Sequence, residues 1–473
     1  MGSRSTKGRQ SARGQVAKSD PSKPTSVALV HMGCARNLID SELILARMAE
    51  EGLMVSGAVE EADIAVLNTC SFIGPAREES ENAIHDLVAR KKRGELRAVV
   101  VAGCLVQRYT HTLEGRFPEV DLFAEISDYS ELARSIVALD QGQKVPRYLA
   151  AGGLRAPERD AARLLATPGS YAYLRISHGC DHTCSFCAIP SIRGPHRSKT
   201  IDDLKAETRD LIDAGVKELV LVAEDSTAWG RDIGQELPDL VEALADIDGD
   251  HRLRVMYAYP NNFPWRLTEL LRDHPRVIPY LDIPVQHIAT PVLRSMRRAG
   301  SGEQVRATLE RLRSEVPGIT LRTTLLVGFP GETEAHVDEL VSFVEEAGLG
   351  RMGAFPYSHE EGTPAHELAN DVPPGAAEGR LKRVLEARDR ALRASQETLI
   401  GSEIEVLVDE VRGGWVLART ERDAPEVDPV VAVTDLPPGA IPAVGDRLNV
   451  IIDRVDEEGN LVARPKPTVD ANP

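Results

Sequence analysis

The sequence predicts three consecutive folded parts: an N-terminal doubly wound parallel α/β sheet, a central (β/α)6 partial barrel and a small all-β barrel. Three observations carry this prediction. From residue 26 onward, short strands rich in β-branched residues alternate with amphipathic helices. A second alternating run supplies six further βα units over roughly 220 residues. Beyond residue 400, short strands follow one another between Gly, Pro and Asp turns.

Bulk composition narrows the class of protein. A chain of 473 residues is too long for one hydrophobic core, and its 27% charged and 42% hydrophobic residues are typical of soluble globular proteins. No apolar run reaches the ~20 residues that span a bilayer, and the N-terminus lacks the apolar region of a secretory signal. We therefore expect a cytoplasmic protein with no membrane partner. Six cysteines in such a chain indicate metal or redox chemistry rather than disulfides.

The first α/β domain is predicted over residues 26–145. Its strands are "SVALVHMG", "ADIAVLNT", "LRAVVVAG" and "VDLFAEI", and its clearest helices are "GPAREESENAIHDLVARKK" and "LVQRYTHTLEGRF". Asn37 is expected to cap the helix after the first strand. The preceding leader, residues 1–25, carries six Lys or Arg and one Asp; we expect a disordered, solvated tail, with RNA contact as the less favoured alternative.

A linker is predicted over residues 146–168 and the partial barrel over residues 169–398. The barrel strands are "YAYLRIS", "ELVLVA", "LRVMYAY", "YLDIPV", "TLRTTLLV" and "MGAFPYS". The helix "AAEGRLKRVLEARDRALRASQETLIG" closes this unit, with Gly401 as its stop. In such a barrel the ligand site is expected at the carboxyl ends of the strands.

The small β-barrel is predicted over residues 399–467, followed by a tail at 468–473. Its strands are "EIEVLVDE", "GWVLART", "PVVAVTD", "DRLNVIIDRV" and "NLVARP". Residues 401–473 carry seven basic and fifteen acidic side chains, a net charge of −8, within a whole-chain net charge of −17. This balance disfavours stable nucleic-acid binding and suits a basic protein partner better.

The strongest motif is "ISHGCDHTCSFCAIP", which places Cys180, Cys184 and Cys187 in a C-x3-C-x2-C arrangement after the first barrel strand. A structural zinc site would need a fourth ligand, for which His178 and His182 are the candidates. An iron–sulfur cluster is the favoured interpretation, because three thiolates leave one iron of a 4Fe–4S cluster open for a substrate or cofactor.

This motif, with Phe186 before its last cysteine and on a six-unit βα barrel, resembles the radical S-adenosylmethionine enzymes. The resemblance implies that the open iron chelates S-adenosylmethionine and that its reductive cleavage gives a 5′-deoxyadenosyl radical. Softer features of the barrel fit a cofactor site. Gly328 and Gly331 in "LVGFPGET" would let the backbone approach a ligand, although a tight turn explains each equally well.

Four polar residues end barrel strands and are expected to point into the barrel mouth. Glu224 and Asp225 end the second strand, and Gln286 and His287 end the fourth. Of these we assign Glu224 and Gln286 to the cofactor site, together with Phe186, which would pack on the cluster or adenine or else shield the loop. No catalytic side chain is assigned.

Three scattered cysteines form a second pattern. Cys34, Cys70 and Cys104 stand 36 and 34 residues apart, and each follows a predicted strand of the first domain: "VHMGC", "VLNTC" and "VVAGC". One such cysteine is most often a small buried hydrophobe. In a parallel sheet, however, all three positions fall at the carboxyl edge, so the thiols are expected to meet there and to offer three ligands. Together with the family resemblance given next, this implies a second 4Fe–4S cluster held by these three cysteines.

The combination resembles the methylthiotransferases over residues 26 to about 465, and the last domain resembles a TRAM domain. The resemblance implies two S-adenosylmethionine molecules, one as methyl donor and one as radical source, and a second cluster whose open iron holds the transferred sulfur. It also implies a low-potential electron donor, such as a flavodoxin or ferredoxin, and a sulfur donor.

Within that family the sequence resembles the branch (RimO type) that thiolates the β-carbon of an aspartate in small-subunit ribosomal protein S-twelve. The similar stretches are "GCARNLIDSE", "NTCSFIGPAREES", "YLDIPVQHI", "LRTTLLVGFPGET", "YSHEEGTPA" and "ERDAPEVDPVV". His178 departs from the acidic residue expected there. The acidic C-terminal domain also favours a basic protein over RNA. The alternatives are a tRNA methylthiotransferase acting on isopentenyladenosine and a non-catalytic iron–sulfur or zinc module.

Overall fold

A computed structural model describes residues 24–152, 157, 159–160, 162–298, 300–369, 371–437 and 441–467. Residues 1–23 of the predicted leader and the predicted tail at 468–473 lie outside the described residues. Two parallel six-stranded sheets are followed by a closed five-stranded barrel, which confirms the predicted fold class. Among the described helices, none is both long enough and apolar enough to cross a membrane.

The first sheet is parallel throughout and has helices on both faces. Its strands are β1 Ser26–His31, β2 Met54–Ser56, β3 Ile64–Thr69, β4 Ala98–Gly103, β5 Leu122–Ala124 and β6 Tyr148–Leu149. Its helices are α1 Ala35–Glu50, α2 Gly74–Lys92, α3 Cys104–Tyr109, α4 Thr112–Arg116 and α5 Ser130–Asp140. The strand order β2-β1-β3-β4-β5-β6 reverses direction between β1 and β3, and ligands bind at such a switch point in open α/β sheets.

The second sheet is an open half-barrel of parallel strands in the order β14-β13-β12-β11-β10-β7. The strands of this middle region are β7 Tyr171–Arg175, β8 Ser177–His178, β9 Arg197–Ser198, β10 Glu218–Val222, β11 Arg252–Val255, β12 Val277–Asp282, β13 Thr320–Val327 and β14 Met352–Pro356. The helices are α6 Ile189–Arg193, α7 Ile201–Asp213, α8 Leu237–Ala245, α9 Leu267–Asp273, α10 Thr290–Ser295, α11 Gly302–Glu315, α12 Glu334–Glu346 and α13 Ala376–Glu397.

Side chains of the half-barrel strands alternate between two cores. In β10, Leu219 and Leu221 pack with the surrounding helices, while Val220 and Val222 face the concave side. That concave core also contains residues of the first domain, including Ile39 of α1. Because successive strand residues point to opposite faces, one strand supports both the helical shell and the contact with the first domain.

The C-terminal region closes into the barrel β15-β16-β17-β19-β18. Its strands are β15 Glu403–Arg412, β16 Trp415–Arg419, β17 Val431–Val433, β18 Arg447–Val455 and β19 Leu461–Pro465. Alternating residues such as Val406, Val408, Val416 and Val450 form its small core. The bounds predicted from the sequence for the three domains stay a prediction.

The loop 421–428, which we call the docking loop, joins β16 to β17 and enters the concave side of the half-barrel. The hydroxyls of Tyr171 and Tyr173 each donate to Glu426 at 2.9 Å, and the Tyr280 hydroxyl donates to Asp428 at 2.6 Å. Arg351 donates to Asp423 at 2.7 Å. The docking loop therefore packs against the concave side of the half-barrel, where Ala424 joins the same core as these three tyrosines.

The structure corrects some local expectations. Cys34, not Asn37, is the N-cap of α1, and Asn37 lies inside the helix with its amide donating to the carbonyls of Met32 and Thr69. The sequence prediction omitted the short strands β2 and β6. The predicted helix "LVQRYTHTLEGRF" is divided into α3 and α4, with Thr110 between them at a φ of 39°.

Candidate active site between two sets of cysteines

The three cysteines of the first domain follow adjacent strands. Cys34, Cys70 and Cys104 come directly after β1, β3 and β4 or within three residues of them, and these strands are neighbours in the sheet. A Cβ on Gly33 would lie 3.2 Å from the Cys70 sulfur, so Gly33, at a φ of 105°, lets the two turns approach. The structure thus brings the three thiols to one edge, at the switch point of the sheet.

Charge around these thiols is uneven. Burial opposes ionisation of Cys34, but the cations Arg36 and Arg193 together with backbone N–H donors hold the pKa of its thiol below the usual value. Burial, reinforced by Cys104, raises the pKa of the Cys70 thiol to about 12. Burial also raises the pKa of Cys104, although Arg193 donates to its sulfur at 3.3 Å. Cys34 is therefore the thiol on which the protein concentrates positive charge.

A buried ion network joins this edge to the half-barrel. Asp40 of α1 accepts from Arg175 of β7 and from Arg193 of α6, each at 2.7 Å. Arg175 also pairs with Asp160, which in turn accepts from Lys199 at 2.7 Å. All five side chains are nearly inaccessible to solvent. Because Arg193 contacts both Asp40 and Cys104, the same network fixes a cation beside one of the thiols.

The second set of thiols lies on the loop between β8 and α6. Cys180 N–H donates to the Gly194 carbonyl at 3.0 Å, and Cys187 N–H donates to the Cys184 carbonyl at 3.1 Å. Gly179 has a φ of 73°, and a Cβ there would lie 2.1 Å from the Pro195 carbonyl oxygen. Burial raises the pKa of the Cys180 thiol to about 12 and that of Cys187 to about 11.

A cleft at the carboxyl ends of the half-barrel strands contains this loop. It contains about 850 Å³ of empty space, which includes space open to solvent. Its lining combines both domains: Arg36, Phe72, Cys180, His182, Cys184, Phe186, Cys187, Ile189, Glu224, Asp225, Tyr257, Ala258, Tyr259, Pro284, Gln286, Arg298 and Thr324. Arg36 and Phe72 each stand two residues after a cysteine of the first domain.

Besides the three cysteines and His182, four residues singled out in the sequence line this cleft: Phe186, Glu224, Asp225 and Gln286. Among the described residues, Glu224 Oε2 is buried without a hydrogen-bond partner, which is a group that a ligand donor would satisfy. Gln286 has a φ of 71°, and Tyr257, also in the cleft, has a φ of 61°. Such backbone strain away from glycine is concentrated at functional sites.

His287 does not point into the mouth as expected. It is fully buried, its Nδ1 accepts from the N–H groups of Ile288 and Ala289, and its Nε2 lies 3.5 Å from Glu332. The imidazole ring of His287 therefore stabilises the turn formed by the residues that follow it.

Gly328 and Gly331 are not among the residues that line the cleft. A Cβ on Gly328 would lie 2.7 Å from Ala377 Cβ, and the Gly331 N–H donates to Asp371 at 2.7 Å. What the structure records for both is the tight turn between β13 and α12, with α13 packed closely against it.

Arg36 and Arg298 escaped the sequence prediction, and His182 was named there only as a possible zinc ligand. His182 Nε2 donates to the Asp225 carboxylate at 2.6 Å, and its ring stacks on Tyr259 with ring centroids 3.8 Å apart. Arg298 lies over the same Tyr259 ring at 4.2 Å and donates to the Cys184 sulfur at 3.6 Å. Arg36 reaches the cleft from the other domain. Nothing in their sequence spacing marks them, because their contacts join distant parts of the chain.

Curated proteins of known name align with nearly the whole chain. A protein of Trichlorobacter lovleyi named ribosomal protein uS12 methylthiotransferase RimO is 41% identical over 86% of this chain and 92% of its own length. The protein of that name from Desulforamulus reducens is 38% identical over 91% of this chain and 98% of its own. The chain belongs to the ribosomal protein uS12 methylthiotransferase family.

Three family profiles match this uS12 methylthiotransferase family member, and each profile covers one of its three folded parts. Residues 174–344 match the radical SAM superfamily, residues 26–125 match an uncharacterised protein family (UPF0004), and residues 400–443 match the TRAM domain. The half-barrel is thus a radical S-adenosylmethionine domain, an enzyme fold, and the C-terminal barrel is a TRAM domain.

Solved structures support the fold. A radical S-adenosylmethionine methyltransferase, TsrM, from Kitasatospora setae, determined with cobalamin and a [4Fe-4S] cluster bound, superposes with a TM-score of 0.52. It is 16% identical and covers 72% of this chain and 74% of its own. At that identity the likeness concerns the fold alone.

The cysteines are chemically available to a cofactor: all six are free thiols. Within the described ranges, no three His, Cys, Asp or Glu side chains are grouped to hold a single metal ion. A cluster makes a different demand, since three thiolates bind three different irons rather than converging on one point. The donor set of each group, three thiols with an arginine donating to one of them, fits an iron–sulfur cluster.

Proposed function

We propose that this chain transfers a methylthio group to the β-carbon of an aspartate in ribosomal protein uS12. The observation that carries the proposal is the arrangement of two sets of three thiols, each set beyond the carboxyl ends of strands of a parallel sheet, with a cleft lined by residues of both domains. The names of the aligned relatives supply the substrate. An enzyme that joins a sulfur group to an unactivated carbon needs a radical source and a sulfur source at the same cleft.

The positions of the six thiols support an assignment of the cluster ligands. We assign Cys180, Cys184 and Cys187 to a 4Fe–4S cluster at the cleft, and Cys34, Cys70 and Cys104 to a second cluster at the switch point of the first sheet. When bound, the two clusters supply the low-potential electron that cleaves S-adenosylmethionine and the sulfur that is methylated and transferred.

The chain's own residues bind and shield the reactants. Glu224 presents a buried, unpaired carboxylate oxygen to a donor on the cofactor, such as its amino group. Gln286 and Phe186 line the same cleft and would position the rest of S-adenosylmethionine. Arg36 and Phe72, contributed by the first domain, cover the mouth and reduce access of water to the reacting atoms.

The proposal requires two further partners. Reductive cleavage needs a low-potential electron donor, such as a flavodoxin or ferredoxin, and repeated turnover needs a source of sulfur. A ribosomal-protein substrate places the reaction in the cytoplasm.

The acidic charge of the C-terminal domain supports uS12 less than the sequence suggested. Glu218 of the half-barrel accepts from Arg419, while Asp423, Glu426 and Asp428 are engaged by the half-barrel from within the docking loop. Three of the fifteen acidic side chains behind the net charge of −8 therefore serve contacts inside the protein. The preference for uS12 over tRNA rests on the relatives.

The test uses the full chain, purified and reconstituted anaerobically with iron and sulfide. About eight iron atoms per chain are expected from two 4Fe–4S clusters. After incubation with uS12, S-adenosylmethionine and a reductant, mass spectrometry should detect one methylthio group on an aspartate. Modification of isopentenyladenosine in tRNA, with uS12 unchanged, would overturn the substrate assignment. If the protein contained zinc in place of iron, or formed no 5′-deoxyadenosine, the proposal that it is a radical S-adenosylmethionine methylthiotransferase would be wrong.

A further inference from the structure

Among the residues that the structure describes, Arg36 is the one cation that the first domain contributes to the cleft lining. It stands two residues after Cys34, in the first turn of α1, and shares the cleft with all three cysteines of the half-barrel. Its side chain is 16% exposed, so a charge bound there would be largely removed from water. Its guanidinium therefore lies at the junction of the two sets of thiols.

Contacts with the half-barrel fix this guanidinium. Nη1 donates to the Ala223 carbonyl, Nε lies 3.6 Å from Glu224 Oε1, and the group stands 4.9 Å from the centre of the Tyr257 ring. These contacts engage Nη1 and Nε, whereas a guanidinium has five N–H donors in a planar fork. The arrangement orients the group and retains donor capacity for a carboxylate.

Two other basic side chains line the cleft, Arg298 and His182, and both make contacts with or within the half-barrel loop that carries the cysteines. Arg298 donates to the Cys184 sulfur and to the Pro284 carbonyl and covers the Tyr259 ring. His182 pairs with Asp225 at 2.6 Å. Both therefore belong to the side of the cleft where the S-adenosylmethionine cluster is proposed.

We infer that Arg36 binds the carboxylate of the target aspartate and so selects aspartate as the residue to be modified. The inference rests on the proposed function. In aspartate the carboxylate carbon is bonded directly to the β-carbon, so placing that carbon between the two thiol sets carries a negative charge into the cleft. An unpaired buried charge is strongly unfavourable, and Arg36 is the cation at that junction.

A double-mutant cycle on binding tests this. The four measurements combine wild-type or Arg36→Gln enzyme, both with reconstituted clusters, with uS12 or with uS12 whose target aspartate is replaced by asparagine. Binding is measured with S-adenosylmethionine present and reductant absent, so that no turnover occurs. Either single change should weaken binding by roughly 10- to 100-fold, as for a lost charge-assisted hydrogen bond. The second change should then add little.

Controls separate this role from damage to the site. Arg47→Gln, on the same helix but paired with exposed Glu50, should bind both forms of uS12 as wild type does. Arg36→Gln should retain the iron content and the electron paramagnetic resonance signals of wild type. Arg36→Lys, which keeps the charge but not the fork, should restore part of the discrimination.

Additive losses, or coupling of the substrate carboxylate to Arg298 instead, would overturn the inference. So would a loss of S-adenosylmethionine affinity in Arg36→Gln with uS12 discrimination unchanged. In each case wild-type enzyme still modifies uS12. If wild-type enzyme leaves uS12 unmodified, the proposed function itself fails, and the two results are distinguishable.

Discussion

Cys34 illustrates how position gives a single residue its chemistry. Taken alone, a half-buried cysteine between a strand and a helix is a small hydrophobe. Its place after β1, beside the turns that follow β3 and β4, puts it with two other thiols at the switch point of the sheet. Against the effect of burial, Arg36, Arg193 and backbone N–H donors leave the pKa of the Cys34 thiol below its usual value, whereas burial raises the pKa of Cys70 and Cys104.

Replacing Cys34 with alanine should separate the two proposed halves of the reaction. Methylthio transfer to uS12 should be abolished, because one ligand of the first-domain cluster is removed. Formation of 5′-deoxyadenosine should continue, because Cys180, Cys184 and Cys187 are untouched, and iron should fall towards about four atoms per chain. Chromatography of the nucleoside and iron analysis measure both effects. Cys184→Ala is the matched control, and equal loss of 5′-deoxyadenosine in both variants would contradict the assignment.

At the scale of residues, the sequence predicted those cleft residues that lie close to the end of a strand. Phe186, Glu224, Asp225 and Gln286 line the cleft because the carboxyl ends of parallel strands share one edge. Arg36 and Arg298 could not be predicted, since their roles depend on contacts between segments far apart in the chain. His287 was wrongly placed, because strand periodicity does not fix the direction of a residue beyond the strand end.

At the scale of elements, periodicity predicted nearly every long strand and helix. Helix α2 and strand β13 have the bounds expected from their apolar pattern. The pattern failed where elements are too short to show a period, as in β2, β6 and the break between α3 and α4. The cap of α1 was also misplaced, because Asn37 uses its amide to tie two neighbouring turns together instead of closing the helix end.

The loop that carries the second cysteine set depends on one glycine. Gly179→Ala would combine a left-handed backbone with a Cβ 2.1 Å from the Pro195 carbonyl oxygen, and backbone cannot move aside as a flexible side chain can. We expect loss of iron from the half-barrel site and loss of 5′-deoxyadenosine formation.

Gly169→Ala is the control for Gly179→Ala. Gly169 has a φ of 97°, but nothing lies within 4 Å of an added Cβ. This variant should cost only about 1–2 kcal/mol of backbone strain and keep its iron. Iron content and 5′-deoxyadenosine yield are compared in the two variants, and equal behaviour would show that the contact with Pro195 does not shape the loop.

At the scale of the whole molecule, the segment "NLIDSE" acts as a domain contact. Asp40 pairs with two arginines of the half-barrel, and Glu42 accepts from Arg163 at 3.2 Å and from the Ala166 N–H at 3.0 Å. The sequence showed that this stretch resembles one branch of the family, but it did not show that Asp40 and Glu42 join the first domain to the rest of the protein. Such pairings are invisible to local pattern, because each partner is distant in sequence.

Asp40→Asn should therefore destabilise the contact between the first domain and the half-barrel. It removes the shared carboxylate of two buried guanidinium groups, and breaking a buried pair costs about 3–5 kcal/mol. Urea denaturation of the reconstituted protein should show a lower midpoint. Glu50→Gln, in the same helix, removes an exposed i,i+3 pair worth less than about 1 kcal/mol. Similar midpoints for the two variants would show that the network contributes little.

The docking loop has a consequence for the evolutionary record of the family. Glu426 accepts from both Tyr171 and Tyr173, and Asp428 accepts from Tyr280. The concave side of the half-barrel and the docking loop therefore depend on each other and should change together in evolution. Substitutions at these positions should covary among relatives. A chimera that exchanges C-terminal domains should remain folded only when the loop and the tyrosines are exchanged together.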